Sequence, residues 1–214
     1  MNGSYDNSPF AGLTEQVSEA LRSAGWKSGC RRRGKSRIEL ALPWWLSARR
    51  KFDRRQSDSE RQQRSDEFDQ ASRILDELWG LRVQPLEKVG PYVPSTVIFD
   101  PRNANRDDVR FLSELLGVNL VPIGEEMSQA ALLLSDRGFV ILAGFVGTGV
   151  FLAGWTFGEA LERILTGQEM PRLVYDGDER PMLFDDPRDP FDRKNILQIT
   201  PGVALTDDSW QVHK

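Results

Sequence analysis

Residues 139–157 read FVILAGFVGTGVFLAGWTF, a run of nineteen positions without a charge. A helix of that length crosses the hydrocarbon core of a bilayer. The fold class therefore turns on whether this run is one membrane helix or several buried strands. Its surroundings favour strands. Asp136-Arg137-Gly138, just upstream, is a turn signal between two apolar runs, Leu132 to Ser135 and Phe139 to Ala143, as in a hairpin. Gly144, Gly147, Gly149 and Gly154 cut the stretch into short pieces, with Val150 to Ala153 reading as a further strand. Its last residues open a helix. Thr156-Phe157-Gly158-Glu159 has the pattern of a capping box, in which Thr156 accepts from the Glu159 amide and Glu159 reaches back to the Thr156 amide. Ala160, Leu161, Ile164 and Leu165 then share a helical face, and Gly167 stops it.

The periodicity upstream is helical at three places. Thr14 caps a helix whose positions Val17, Ala20, Leu21 and Ala24 lie on one face, with Gly25 at its end and Trp26 packing beside it. Residues 66–79, DEFDQASRILDELW, carry Phe68, Ala71, Leu75, Leu78 and Trp79 at 3–4 spacing before Gly80. Asp107 or Asp108 opens a third helix with Val109, Leu112, Leu115 and Leu116, closed by Gly117. Between these, Thr96 to Phe99 reads as a short strand. VNLVPIGE (118–125) reads as a strand that must be an edge or an end at Pro122, which has no amide to donate. After Gln168 the pattern weakens into a Pro- and Asp-rich arm in which ILQI adds one short strand. No repeat is present.

Composition removes much chemistry. A single cysteine, Cys30, excludes an internal disulfide framework and a cysteine-based zinc cluster. A single histidine, His213, lies next to the last residue, so a Ser-His-Asp triad requires the tail to fold back. Gly144 to Gly149 lacks the Lys-Ser/Thr ending of a phosphate loop. DGDE (176–179) and FDDPRD (184–189) lack the spacing of a calcium loop. Cys30 beside Arg31 to Arg33 reads as an incidental thiol. Nothing in the residues alone activates Glu125, Glu126 or Asp100 as an acid–base pair. The N-terminus has neither a basic region nor an apolar region of a signal peptide, which points to a cytoplasmic setting.

Charge is unevenly distributed. Arg22 to Arg64 holds 14 basic and 4 acidic residues, while the remainder holds 14 basic and 28 acidic. Such a split reads either as a solvated basic helix or as a dipolar surface made for a charged partner. Trp44 and Trp45 beside Arg49 and Arg50 resemble a stacking platform for single-stranded nucleic acid, or a core tryptophan and a shielding one.

One ordered set of motifs carries more information than any single one. It runs ALRSAGW (20–26), ILDELWGLRV (74–83), STVIFDP (95–101), FLSELLGVNLVPIGE (111–125), ALLLSDRGFVILAG (131–144) and WTFGEALERILTG (155–167). In that order the sequence resembles the SUKH superfamily of bacterial immunity proteins, specifically its third group, over about residues 14–168. It departs from the pattern at Trp79, where a small residue is usual before the glycine. The 44–64 segment is more basic than is typical, and residues 169–214 have no counterpart. The resemblance implies an α+β fold, a largely antiparallel sheet flanked by helices. It divides the chain into a loose segment 1–13, an immunity domain 14–168 and a less regular extension 169–214. It implies no cofactor, no catalysis and a cognate toxin domain as the partner, while the residues themselves lead to the expectation of no metal site and no membrane span. Nucleic acid is not an expected partner on this reading, and the oligomeric state is left open.

A protein that disarms a toxin gains speed and selectivity from charge and affinity from aromatic anchors. If the toxin is a nuclease, its active site is basic, and carboxylates can occupy the phosphate positions. Asp100, Glu125 and Glu126, near strand ends, with Tyr92 as a neighbouring aromatic, are the candidate partner-binding residues. Two alternatives stand beside this: a nucleic-acid-binding module using the basic 31–64 segment, and a non-enzymatic regulatory scaffold.

Overall fold

In a computed structural model of the chain, residues 8–30, 70–127, 130–144, 149–175 and 196–205 are described. Helix α1 (Glu15–Ser23) starts where the sequence places it: the Thr14 hydroxyl accepts from the Val17 amide, and Val17 and Leu21 are buried. Helix α2 occupies 70–78 of the described residues and buries Ala71, Ile74, Leu75 and Leu78. Trp26 packs at the end of α1 as expected, and its indole N–H donates to Glu77 of α2 at 2.9 Å.

Helix α3 (Arg106–Leu116) begins one residue earlier than read. Its cap is Asn105, whose side chain accepts from the Asp107 amide, so Asp107 and Asp108 lie in the first turn instead, where they favour the helix dipole. Helix α4 (Phe157–Thr166) has Thr156 as its cap. The Thr156 hydroxyl accepts from the Glu159 amide at 3.2 Å, but the Glu159 carboxylate reaches past Thr156 and accepts from the Trp155 amide at 2.7 Å.

The strands are β1 (Arg82–Val83), β2 (Val97–Ile98), β3 (Leu120–Glu126), β4 (Ala130–Ser135), β5 (Val140–Gly144), β6 (Val150–Gly154), β7 (Arg172–Val174) and β8 (Ile196–Gln198). They form one sheet in sequence order, antiparallel throughout except for the parallel β7–β8 pair. This is the α+β architecture expected, with β1 and β7 as elements the sequence reading did not contain. The apolar run 139–157 becomes β5, β6 and the start of α4. Among the described residues no helix is long and apolar enough to cross a membrane.

Pro122 sits where the β3–β4 register shifts, between Pro122 and Gly124. Strand β2 pairs with β3 only at Glu125 and Glu126, so the amide that Pro122 lacks is not required by the β2–β3 pairing.

Cross-strand partners share a face, and faces alternate along each strand. Gly154 pairs with Val140 and lies tight against α4, since a Cβ there would meet the Ala160 nitrogen at 2.5 Å. Leu132, Leu134 and Val140 therefore pack on the α4 side. Helix α1 lies on this side too, joined by Phe10, whose ring centroid is 5.2 Å from Trp26 and 6.0 Å from Phe157. Ala131, Leu133, Ala143 and Val150 form the opposite face, beneath α3.

Candidate functional site: a partner-binding face beside helix α3

The register places one row of side chains across the α3 face. Arg82 pairs with Ile98, Ile98 with Glu125, Glu125 with Ala131, Ala131 with Ala143, and Ala143 with Val150. The row runs from a cation through a half-buried isoleucine and a carboxylate to small and apolar residues under the helix. Its open end is flanked by Met127, 54% exposed, whose sulfur accepts from the Arg82 guanidinium at 2.6 Å.

The residues that lead into α3 hold the carboxylates of this face in place. Asp100 caps the 3-10 turn Pro101–Asn103, accepting from the Arg102 amide at 3.1 Å and from Arg102 Nε at 2.8 Å. That pairing holds the Arg102 guanidinium pKa above its ordinary value, chiefly through the hydrogen bond to Asp100 and then through the attraction of its charge. At the end of the same turn, Asn103 Nδ2 donates to Glu125 Oε2 at 2.8 Å. Asp100 and Glu125 are thus joined through one short turn, and α3 begins two residues after it.

Between α3 and the sheet lies a cleft of about 230 Å³. Val109 and Leu112 line it from the helix, Leu133 and Val150 from the strands, and Ala131 and Ala143 lie at its floor. Asp108 and Phe111 stand at its margin; Asp108 is exposed and Phe111 is 49% exposed. Glu125 occupies the next place in the row beyond Ala131, about one strand spacing (~4.8 Å) away.

The four residues singled out from the sequence are divided by this geometry. Asp100 and Glu125 come together. Glu126, adjacent on β3, points to the other side of the sheet; it pairs with Val97 and Ala130 and is 8% exposed. Tyr92 is held at the C terminus of α4, where its amide donates to the Gly167 carbonyl at 3.0 Å. Asp108 and Phe111 are additions. The signal for Phe111 was present: it stands off the Val109, Leu112, Leu115 and Leu116 stripe that turns α3 inward.

Trp44, Trp45, Arg49 and Arg50, with the rest of the basic 31–64 segment, lie outside the described residues, as do DGDE (176–179), FDDPRD (184–189), residues 145–148 of the glycine-rich loop, and His213. Cys30 is exposed. Among the described residues no group of three or more His, Cys, Asp or Glu is placed to hold a metal ion.

A family model described as SUKH-3 immunity protein matches residues 13–167. No curated protein and no solved structure matches the chain. A match of that extent runs from the cap of α1 to the glycine that ends α4, and with it the ordered motifs acquire an identity: the chain belongs to the SUKH-3 immunity protein family.

Proposed function

We propose that this protein neutralises a cognate bacterial toxin by binding it and covering its functional surface, without chemical turnover, in the cytoplasm of the protected cell. Family membership supports the immunity role. The toxin that fits this face best is a nuclease, whose phosphate-binding groups are cationic. The observation that carries the reading is the built carboxylate pair: Asp100 and Glu125, oriented by Arg102 and Asn103 beside the half-buried Ile98 and the exposed Met127. An apolar centre with an oriented charged rim is the anatomy of a protein–protein interface. Held carboxylates meet a cationic surface with less side-chain entropy left to lose.

The test is binding to the toxin domain encoded beside this gene, produced in an inactivated form. Glu125→Lys is expected to weaken the complex by about tenfold or more, mostly through slower association and with a changed salt dependence. Wild-type affinity and salt dependence in that variant remove Glu125 from the interface. Failure of the unaltered protein to bind or protect removes the function itself.

A further inference from the structure

Strand β1 pairs with β2 on one side and, among the described residues, with no strand on the other. The Phe99 amide donates to the Leu81 carbonyl at 2.9 Å, and the register sets Arg82 opposite Ile98 and Val83 opposite Val97. In an antiparallel pair, residues that bond to the neighbouring strand alternate with residues that do not. Leu81 and Val83 bond to β2, so the main-chain N–H and C=O of Arg82 turn outward. An outward edge of this kind is a template for a further strand.

That edge is one bank of an open groove of about 740 Å³, and α1 is the other. Arg82 and Gln84 line the groove, while Val83 between them is buried. Ala20 and Ala24 on the helix bank leave room for a backbone to approach, and Leu86 faces them from the opposite bank; all three are half-buried. From Glu15 to Ala24 the helix bank runs about 13 Å, the length of about four extended residues. Glu15 and Glu19 are exposed there and share one guanidinium, that of Arg22, so this bank keeps a net negative charge. At Arg82 the groove adjoins the row that carries Glu125, since the Arg82 side chain belongs to that row and its main chain to the edge.

We infer that an extended segment of the bound toxin adds to the sheet beside β1, running between β1 and α1 with a lysine or arginine facing Glu15 and Glu19. The inference rests on the toxin-binding function proposed above and extends it from the α3 face to the adjoining edge. Strand addition draws affinity from main-chain bonds and specificity from alternate side chains. The Arg82 N–H donates to the added strand and the Arg82 carbonyl accepts from it. Pro85, with no N–H to offer, ends the ladder. An acidic segment is repelled at the helix bank, and a nucleic-acid strand has no run of amides and carbonyls to continue the sheet.

Amide hydrogen exchange on the unaltered protein, alone and with the inactivated toxin domain of the neighbouring gene, tests this. The Arg82 amide is expected to exchange rapidly in the free protein and about tenfold or more slowly in the complex. An Arg82 amide left unprotected in a complex that forms overturns strand addition while leaving toxin binding intact. Protection already present in the free protein means that the chain itself or a second copy fills the edge, and it overturns the inference as well. Calorimetric titration gives a second measurement. Arg82→Pro removes the outward N–H, a change that an edge strand tolerates, whereas Arg82→Ala removes only the side chain; circular dichroism checks both. Arg82→Pro is expected to bind about tenfold or more weakly than Arg82→Ala, and equal affinities overturn the ladder. Glu19→Lys is expected to weaken binding and change its salt dependence; both unchanged overturn the basic character of the added segment. A toxin domain that fails to bind even the unaltered protein overturns the function on which the inference depends.

Discussion

Gly154 and Gly167 contribute by the side chains they lack. At Gly154 an added methyl meets the backbone of α4 at Ala160, with no flexible atom able to yield. Gly167 combines a φ of +68° with the closest approach of the 84–96 segment, whose Tyr92 carbonyl lies where a Cβ would stand. Gly154→Ala is expected to lower stability by about 1–3 kcal/mol through overpacking, measured as a shifted urea midpoint at unchanged slope. A stability equal to that of the unaltered protein means α4 shifts away from β6 without cost. At this scale the sequence announced Gly167 as a helix stop, because a stop is a local property. The crowding at Gly154 was hidden, because the atoms that fill its space arrive from α4. The same limit separated Glu125 from Glu126. Adjacent letters read as one acidic pair, while strand geometry sends them to opposite faces, one beside Asn103 and one beside Val97.

Caps and turns belong to the scale of elements. The Thr156 hydroxyl and the Glu159 carboxylate satisfy two amides at the start of α4, and Glu159 also pairs with Arg163 at 2.6 Å. Thr156→Ala is expected to cost about 1 kcal/mol, the usual value of an N-cap, read as a lowered thermal midpoint. An unchanged midpoint assigns the cap to Glu159 alone. The hairpin around Asp136-Arg137-Gly138 was legible in the same way: its closing bonds, Gly138 amide to Ser135 carbonyl at 3.1 Å and Ser135 amide to Phe139 carbonyl at 2.8 Å, lie within the turn itself. Asn105 was missed as the cap of α3 because Asp107 and Asp108 are equally good caps by composition. The side-chain bond from Asn105 to the Asp107 amide decides among them. Strand β7 was missed for a different reason. Three residues carry too little alternation to be read, and its stability comes from Val150 and Phe151 on one side and Ile196 to Gln198 on the other.

The whole molecule closes over its own C-terminal region. Leu173, Leu197, Ile199 and Leu205 are buried, and the Gly202 amide donates to the Leu115 carbonyl at the end of α3. These residues lie beyond 13–167, the part of the chain that the family model matches. At about 1.5–3 kcal/mol for each buried aliphatic side chain, the four contribute roughly 6–12 kcal/mol, the order of a domain's entire stability. Removing residues 169–214 is therefore expected to leave an aggregating or largely unfolded chain, checked by solubility and by the cooperativity of the thermal transition. A cooperative transition in the shortened chain makes the extension dispensable. By itself the sequence determined the local grammar: where helices stop, which residues turn, which stripe of each helix turns inward, and, through the order of its motifs, the family. Those depend on neighbours within a few positions, where spacing and φ/ψ preference act directly. The row from Arg82 through Glu125 to Val150, the cleft above it and the joining of Asp100 to Glu125 were decided by tertiary structure. They arise from strand register and from the seating of α3 on the sheet, and both are set by burial across segments far apart in the chain.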